Sequence, residues 1–147
     1  LRVRFDMYSN LRAIAETSDG KLLMVSRFVK AAGGCSAPAL KDADQALASL
    51  GKMQVKMLDA EQSQGASTAM KEAQLMIRHP NYSGMQMNQL TGLYIPAKYI
   101  QEIEVKRGGE LVFSVTTGIS LSEDPNIRFN YSAGASADAI EVTAKDS

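Results

Sequence analysis

Apolar and polar residues alternate along residues 1–9. Leu1, Val3, Phe5 and Met7 fall on one side, and Arg2, Arg4 and Asp6 on the other. A period of two predicts a half-buried β-strand. Residues 11–17 and 21–30 read as two further strands. Ser18-Asp19-Gly20 joins them, and Asp-Gly marks a hairpin turn because it tolerates positive φ. The pattern then changes. Residues 39–50 are alanine-rich and place Ala43, Ala46, Leu47 and Leu50 on one helical face, with Asp42 positioned to cap the start and Gly51 to end it. A helix of about three turns needs a surface to pack on.

Strands resume where Met53, Val55 and Met57 alternate with Lys52, Gln54 and Lys56. Residues 60–67 are polar and turn-like. Residues 73–79 form another strand, which Pro80 stops. Residues 99–106 and 110–116 predict a hairpin about Arg107-Gly108-Gly109, and 126–131 and 139–144 predict two more strands. Turn signals spaced by about 8–12 residues favour an antiparallel sandwich over a parallel sheet. The expected fold is all-β, with one short helix. The first block holds about three strands, too few for a sandwich of its own.

Composition narrows the function. Lys+Arg 16 against Asp+Glu 16 leaves no net charge and gives no footprint for nucleic acid. No apolar run approaches the ~20 residues of a membrane helix. The alternation already present at Leu1 is unlike a signal peptide, as expected of a mature protein or a piece of one. There is no Trp, with five Tyr, four Phe and eight Met, so the core is expected to be aliphatic with methionine filling gaps. No GxGxxG, P-loop, His/Cys cluster or nucleophile elbow occurs. No cofactor or metal is therefore expected.

The one cysteine, Cys35, follows Gly33-Gly34 and precedes Ser36-Ala37-Pro38. A free cysteine is ordinarily a small buried hydrophobe. Two glycines before it give nothing to pack against, and they cost the most entropy to order. The local sequence therefore favours an exposed, reactive thiol. Such a thiol can attack, be attacked, or carry a group as a thioester, persulfide or thiosulfonate. Arg27 and Lys30 lie close enough in sequence to favour the thiolate. His79, the only histidine, is conceivable as its base. It reads more simply as a turn residue before Pro80. Met85 and Met87 with His79 would make the best copper(I) cluster, since thioethers suit that ion. Met24, Met53, Met57 and Met76, however, lie on strand faces that read as core.

Residues 14–20 (Ile-Ala-Glu-Thr-Ser-Asp-Gly), the strand at 21–30 and Gly33-Gly34-Cys35 resemble the C-terminal end of SoxY, the covalent sulfur carrier of the thiosulfate-oxidising Sox system. Ile77-Arg78-His79-Pro80, Gly84, Ile95-Pro96-Ala97-Lys98-Tyr99-Ile100 and the run at 122–129 are similar to its partner subunit, SoxZ. The order resembles fused SoxYZ-like carriers associated with quinoprotein dehydrogenases. The resemblance implies a periplasmic, immunoglobulin-like β-sandwich that holds a sulfur-containing intermediate on Cys35, with Gly33 and Gly34 giving the arm its mobility. It implies a carrier that is not itself an enzyme, with Sox-type or quinoprotein dehydrogenase-associated enzymes as partners. It divides the chain into the last strands of a SoxY-like sandwich (1–34), a carrier loop and linker helix (35–51) and a SoxZ-like sandwich (52–147). The SoxY-like part starts midway and the SoxZ-like part stops short of a last strand. A fragment or processed product is therefore expected, with unpaired edges that invite dimerisation. Cys35 is tethered on both sides, and Ser36-Ala37-Pro38 stands where SoxY has trailing glycines. A different reading of the same chain is a β-sandwich interaction module in which the cysteine is incidental.

Overall fold

The computed structural model describes residues 1–39, 43–58, 70–132 and 139–147. Asp42 as a helix cap and the turn at 60–67 lie outside the described residues. The elements in chain order are β1 (Ser9–Glu16), β2 (Leu22–Val29), α1 (Ala43–Ala48), β3 (Met53–Leu58), β4 (Met70–Ile77), β5 (Ile100–Arg107), β6 (Glu110–Thr116), β7 (Asn126–Ser132) and β8 (Ile140–Asp146). All the pairing is antiparallel. Strands β3-β4-β7 form one three-stranded sheet, β6-β5-β8 a second, and β1-β2 a separate hairpin. The all-β sandwich expected from the turn spacing is what forms.

The core lies between the two three-stranded sheets. Leu75 and Ile77 of β4 meet Ile100, Ile103 and Val105 of β5, together with Leu121. Both β4 and β5 are the central strands of their sheets. Their inward side chains are covered by the facing sheet and by neighbours on either side. Residues directly opposite in register share a face, so Met53, Val55 and Met57 stand beside Ile77, Leu75 and Ala73. The alternation of β3 thus puts its apolar residues on the inner side. As an edge strand it leaves them only partly covered, and Met53 and Met57 remain exposed. Met24, also expected in the core, is exposed on the hairpin.

The β1-β2 turn follows the Asp-Gly signal. Gly20 has φ +78°, and the Thr17 amide donates to the Lys21 carbonyl at 2.9 Å. The helix is shorter than expected. It covers six residues, burying Ala46 while Leu47 stays exposed.

Residues 1–9 do not form the expected strand. Ser9 already belongs to β1, and of residues 1–8 only Val3 makes a β-bridge, to Leu121; Leu1, Val3 and Met7 are exposed. An alternating pattern becomes a strand only where a partner ladder is available, and this segment finds one for a single step. Its anchor is Arg4, from the side read as solvent-facing. The Arg4 Nη1 donates to the carbonyls of Asn81 at 2.8 Å and Leu121 at 2.5 Å. On the main chain, Arg4 N–H donates to Ser120 O at 2.7 Å and Ser122 N–H to Arg2 O at 3.2 Å.

Candidate functional site

Cys35 is buried, at 5% relative exposure. This corrects the expectation of an exposed thiol. The glycines ahead of it do not leave it hanging. Instead they dock it. Gly33 N–H donates to Asp6 O and Gly34 N–H to Phe5 O, each at 2.9 Å. A Cβ on Gly34 would stand 2.6 Å from the Phe5 carbonyl oxygen, so this approach requires glycine. Gly33 takes φ +68°, and Ser36 Oγ donates back to its carbonyl.

The floor of the site comes from the loop after β4. Ser83 Oγ donates to the Cys35 carbonyl at 2.5 Å, and Gln86 Nε2 to the Ala37 carbonyl at 3.0 Å. Gln86 Oε1 in turn accepts the Ser83 N–H at 3.2 Å. Ser83 and Gln86 are themselves buried. A loop that brings polar side chains inside must give each of them a partner, and here the cysteine loop supplies the carbonyls. Arg4 adds positive charge. Burial draws its guanidinium below the ordinary arginine value, and the fields of Cys35 and Glu123 oppose that shift.

Asn81 joins this site to a second polar cluster. It is fully buried with φ 45°. Its Oδ1 accepts the Ile100 N–H, its Nδ2 donates to Ser122 O, and its carbonyl accepts Arg4. Its own N–H donates to His79 Nδ1 at 3.0 Å. Because a backbone N–H can only donate, Nδ1 is the acceptor and Nε2 carries the proton. That proton faces Asp146 Oδ2 at 3.3 Å, which also receives Lys98 Nζ at 2.7 Å. Burial lowers the His79 pKa, and Asp146 only partly offsets it. Both ring nitrogens are thus engaged, by Asn81 and Asp146 rather than by Cys35, and Met85 and Met87 lie exposed. Gly33, Gly34 and Cys35 therefore come together with Arg4, Ser83 and Gln86. Sequence reading did not single out these last three. Arg4 sits in a strand-like alternation, and Ser83 and Gln86 have no local signature.

The fold and this site define a β-sandwich protein with one thiol, held where an N-terminal segment meets a loop of the sandwich. Residues 54–147 match the family model described as sulphur oxidation protein SoxZ, and residues 1–35 match that of sulfur oxidation protein SoxY. The chain belongs to the SoxZ family, with a SoxY-like segment ahead of it. No curated protein matches it. No helix among the described residues is long and apolar enough to cross a membrane.

Proposed function

We propose that the protein is a covalent sulfur carrier, with Cys35 Sγ bearing a sulfur-containing intermediate for partner enzymes. The observation that carries this reading is the end of the SoxY match at residue 35, the cysteine itself. The docking of that cysteine on the SoxZ-like sandwich supports it. In this reading 1–34 act as the SoxY-like strands, 35–51 as carrier loop and linker, and 52–147 as the SoxZ-like body. The protein performs no chemistry of its own. Loading thiosulfate on the thiol makes an S–S bond and releases one proton and two electrons, so a partner oxidoreductase must accept the electrons. Such partners belong to the Sox or quinoprotein dehydrogenase-associated class, and the compartment is the periplasm, where a lone thiol escapes pairing within its own chain.

A buried thiol serves this role only if the loop opens. Breaking the bonds from Ser83 and Gln86 and the two glycine contacts releases Cys35 without disturbing the core cluster. Local opening of this kind costs less than global unfolding. Intact mass measurement of the protein from its native host, with and without reductant, tests the reading. A reducible adduct on Cys35, lost in Cys35→Ser, is expected. A free thiol in every sample, with partner binding retained in Cys35→Ser, would instead make the protein an interaction module with an incidental cysteine.

A further inference from the structure

His79 is the only histidine, and its buried ring has no role in the proposed loading of Cys35. Its surroundings make it sensitive to one added proton. Nδ1 accepts the Asn81 N–H at 3.0 Å, and Nε2 faces Asp146 Oδ2 at 3.3 Å. A second ring proton must sit on Nδ1, where it points at another donor. The charged groups around the ring are Asp146 from β8 and Lys98 from the segment ahead of β5, paired with each other at 2.7 Å. At the main chain, Asp124 Oδ1 accepts the His79 N–H at 3.1 Å, and its Oδ2 takes Arg78 at 2.7 Å. His79 and Asp146 also line a recess of about 250 Å³ with Leu50, Gly51, Ile100 and Ala144. The recess gives a proton a path to the ring.

Asn81 carries the disturbance onward. It is fully buried in the left-handed region, at φ 45°. A residue with a side chain holds that conformation where its surroundings insist on it. Two routes lead from it to the thiol. Its carbonyl accepts Arg4 Nη1 at 2.8 Å, and the two residues after Arg4, Phe5 and Asp6, accept the Gly34 and Gly33 N–H groups on their carbonyls. Along the loop itself, Ser83 lies two positions on and bonds the Cys35 carbonyl. Both routes start at the residue that His79 holds.

We propose that His79 is a proton-operated latch on the cysteine loop: a proton on Nδ1 sets two donors against each other, displaces Asn81 and so frees Cys35. In the closed loop, burial holds the ring below its ordinary pKa of 6.5. Opening removes the opposition at Nδ1, so the open form binds the proton more tightly. The closed form is therefore kept above about pH 6.5 and loses ground as the pH falls, by at most about 10-fold per pH unit. The latch concerns the enclosure and stands whether or not Cys35 carries sulfur. That acid presents the thiol to partner enzymes rests on the carrier reading.

The full chain serves for the test. Cys35 is labelled with dithiodipyridine, which reacts with thiols in mild acid, between about pH 7.5 and 5. Dividing each rate by that of the urea-unfolded chain at the same pH cancels the thiolate fraction. The ratio should rise as the pH falls, by at most about 10-fold per unit, and should stay flat in His79→Gln. Asp146→Asn removes the carboxylate that favours the charged ring and should move the rise to lower pH. Lys98→Gln removes the cation that opposes it and should move the rise to higher pH. A merely structural role gives no such opposed pair. A flat wild-type ratio, an equal rise in His79→Gln, or the absence of opposed shifts overturns the latch. So does a rise that grows steeply with low urea, the mark of global unfolding. None of these outcomes decides whether Cys35 bears an adduct in the native host, which the mass measurement settles separately.

Discussion

The hydroxyl of Ser83 reaches the carbonyl of Cys35 at 2.5 Å across 48 positions of sequence. The bond ties the cysteine loop to the sandwich, so its loss favours the open loop. Ser83→Ala removes one buried hydrogen bond, worth about 0.5–1.5 kcal/mol net. The thiol of this variant should react with iodoacetamide roughly 2- to 10-fold faster, with an unchanged circular dichroism spectrum. An unchanged rate would show that opening does not break this contact.

The two glycines before Cys35 should differ in their tolerance of a side chain. Gly33→Ala meets only an ordinary contact, with Ser36 Oγ at 3.8 Å, but must hold φ +68°, at a cost of about 1–2 kcal/mol. Gly34→Ala places a methyl 2.6 Å from a backbone oxygen that cannot swing aside. Its cost should be larger, up to about 3 kcal/mol, as for overpacking. It should also speed labelling of Cys35. Urea midpoints and labelling rates of the two variants check the order.

Acid should weaken the fold in two separate steps. His79 is held neutral in the folded state, because a proton on Nδ1 would face the Asn81 N–H. Its folded pKa lies below its ordinary value of 6.5, chiefly through burial. The unfolded chain therefore takes up a proton first. Stability is fully present above about pH 6.5 and declines as the pH falls toward the lowered folded value. His79→Gln should flatten that decline in urea midpoints measured from pH 7.5 to 5. The Asp146 carboxyl, held below its ordinary value of 3.8 first by Lys98 and then by His79, gives up its contribution only below that pH.

Substitutions in the sandwich should separate its centre from its rim. Leu75 is fully buried in β4, and Leu75→Ala should cost about 2–5 kcal/mol through lost burial and a cavity. Leu111 in β6 is 57% exposed, and Leu111→Ala should stay within about 0.5 kcal/mol.

The hairpin should be the least protected part of the sheet structure. Among the described residues its two strands pair only with each other, and Ile14, Leu22, Leu23, Met24 and Val25 are exposed. A two-stranded hairpin is at best marginally stable by itself. Hydrogen exchange should find its amides faster than those of β4 and β5. Equal protection would mean that the hairpin is covered in solution.

What the sequence disclosed was local. The turn at Arg107-Gly108-Gly109 and the strands on either side follow from residues next to one another, and they stand where the pattern placed them. The sandwich follows from the spacing of such turns. Two features did not follow, and both depend on distant partners. Residues 1–9 alternate like a strand, yet what fixes them is Arg4 reaching Asn81 and Leu121. The stretch around Cys35 looks like a loose stalk, because glycines and a proline say nothing of Phe5, Ser83 and Gln86. The thiol itself was legible because it is the only one. Its enclosure was not.

The contacts of Arg2 and Arg4 with residues 119–122, and of the cysteine loop with Ser83 and Gln86, carry a consequence for the connection between the two parts. All these bonds join residues before 39 to residues after 52. Residues 43–51 between them add their own hold on the sandwich, through the Gly51 N–H donated to Arg78 O at 2.9 Å. A single proteolytic cut in that connection should leave two polypeptides that elute together under native conditions and part only in denaturant. Such co-elution would make covalent fusion and separate assembly two versions of one architecture, joined by bonds to main-chain carbonyls.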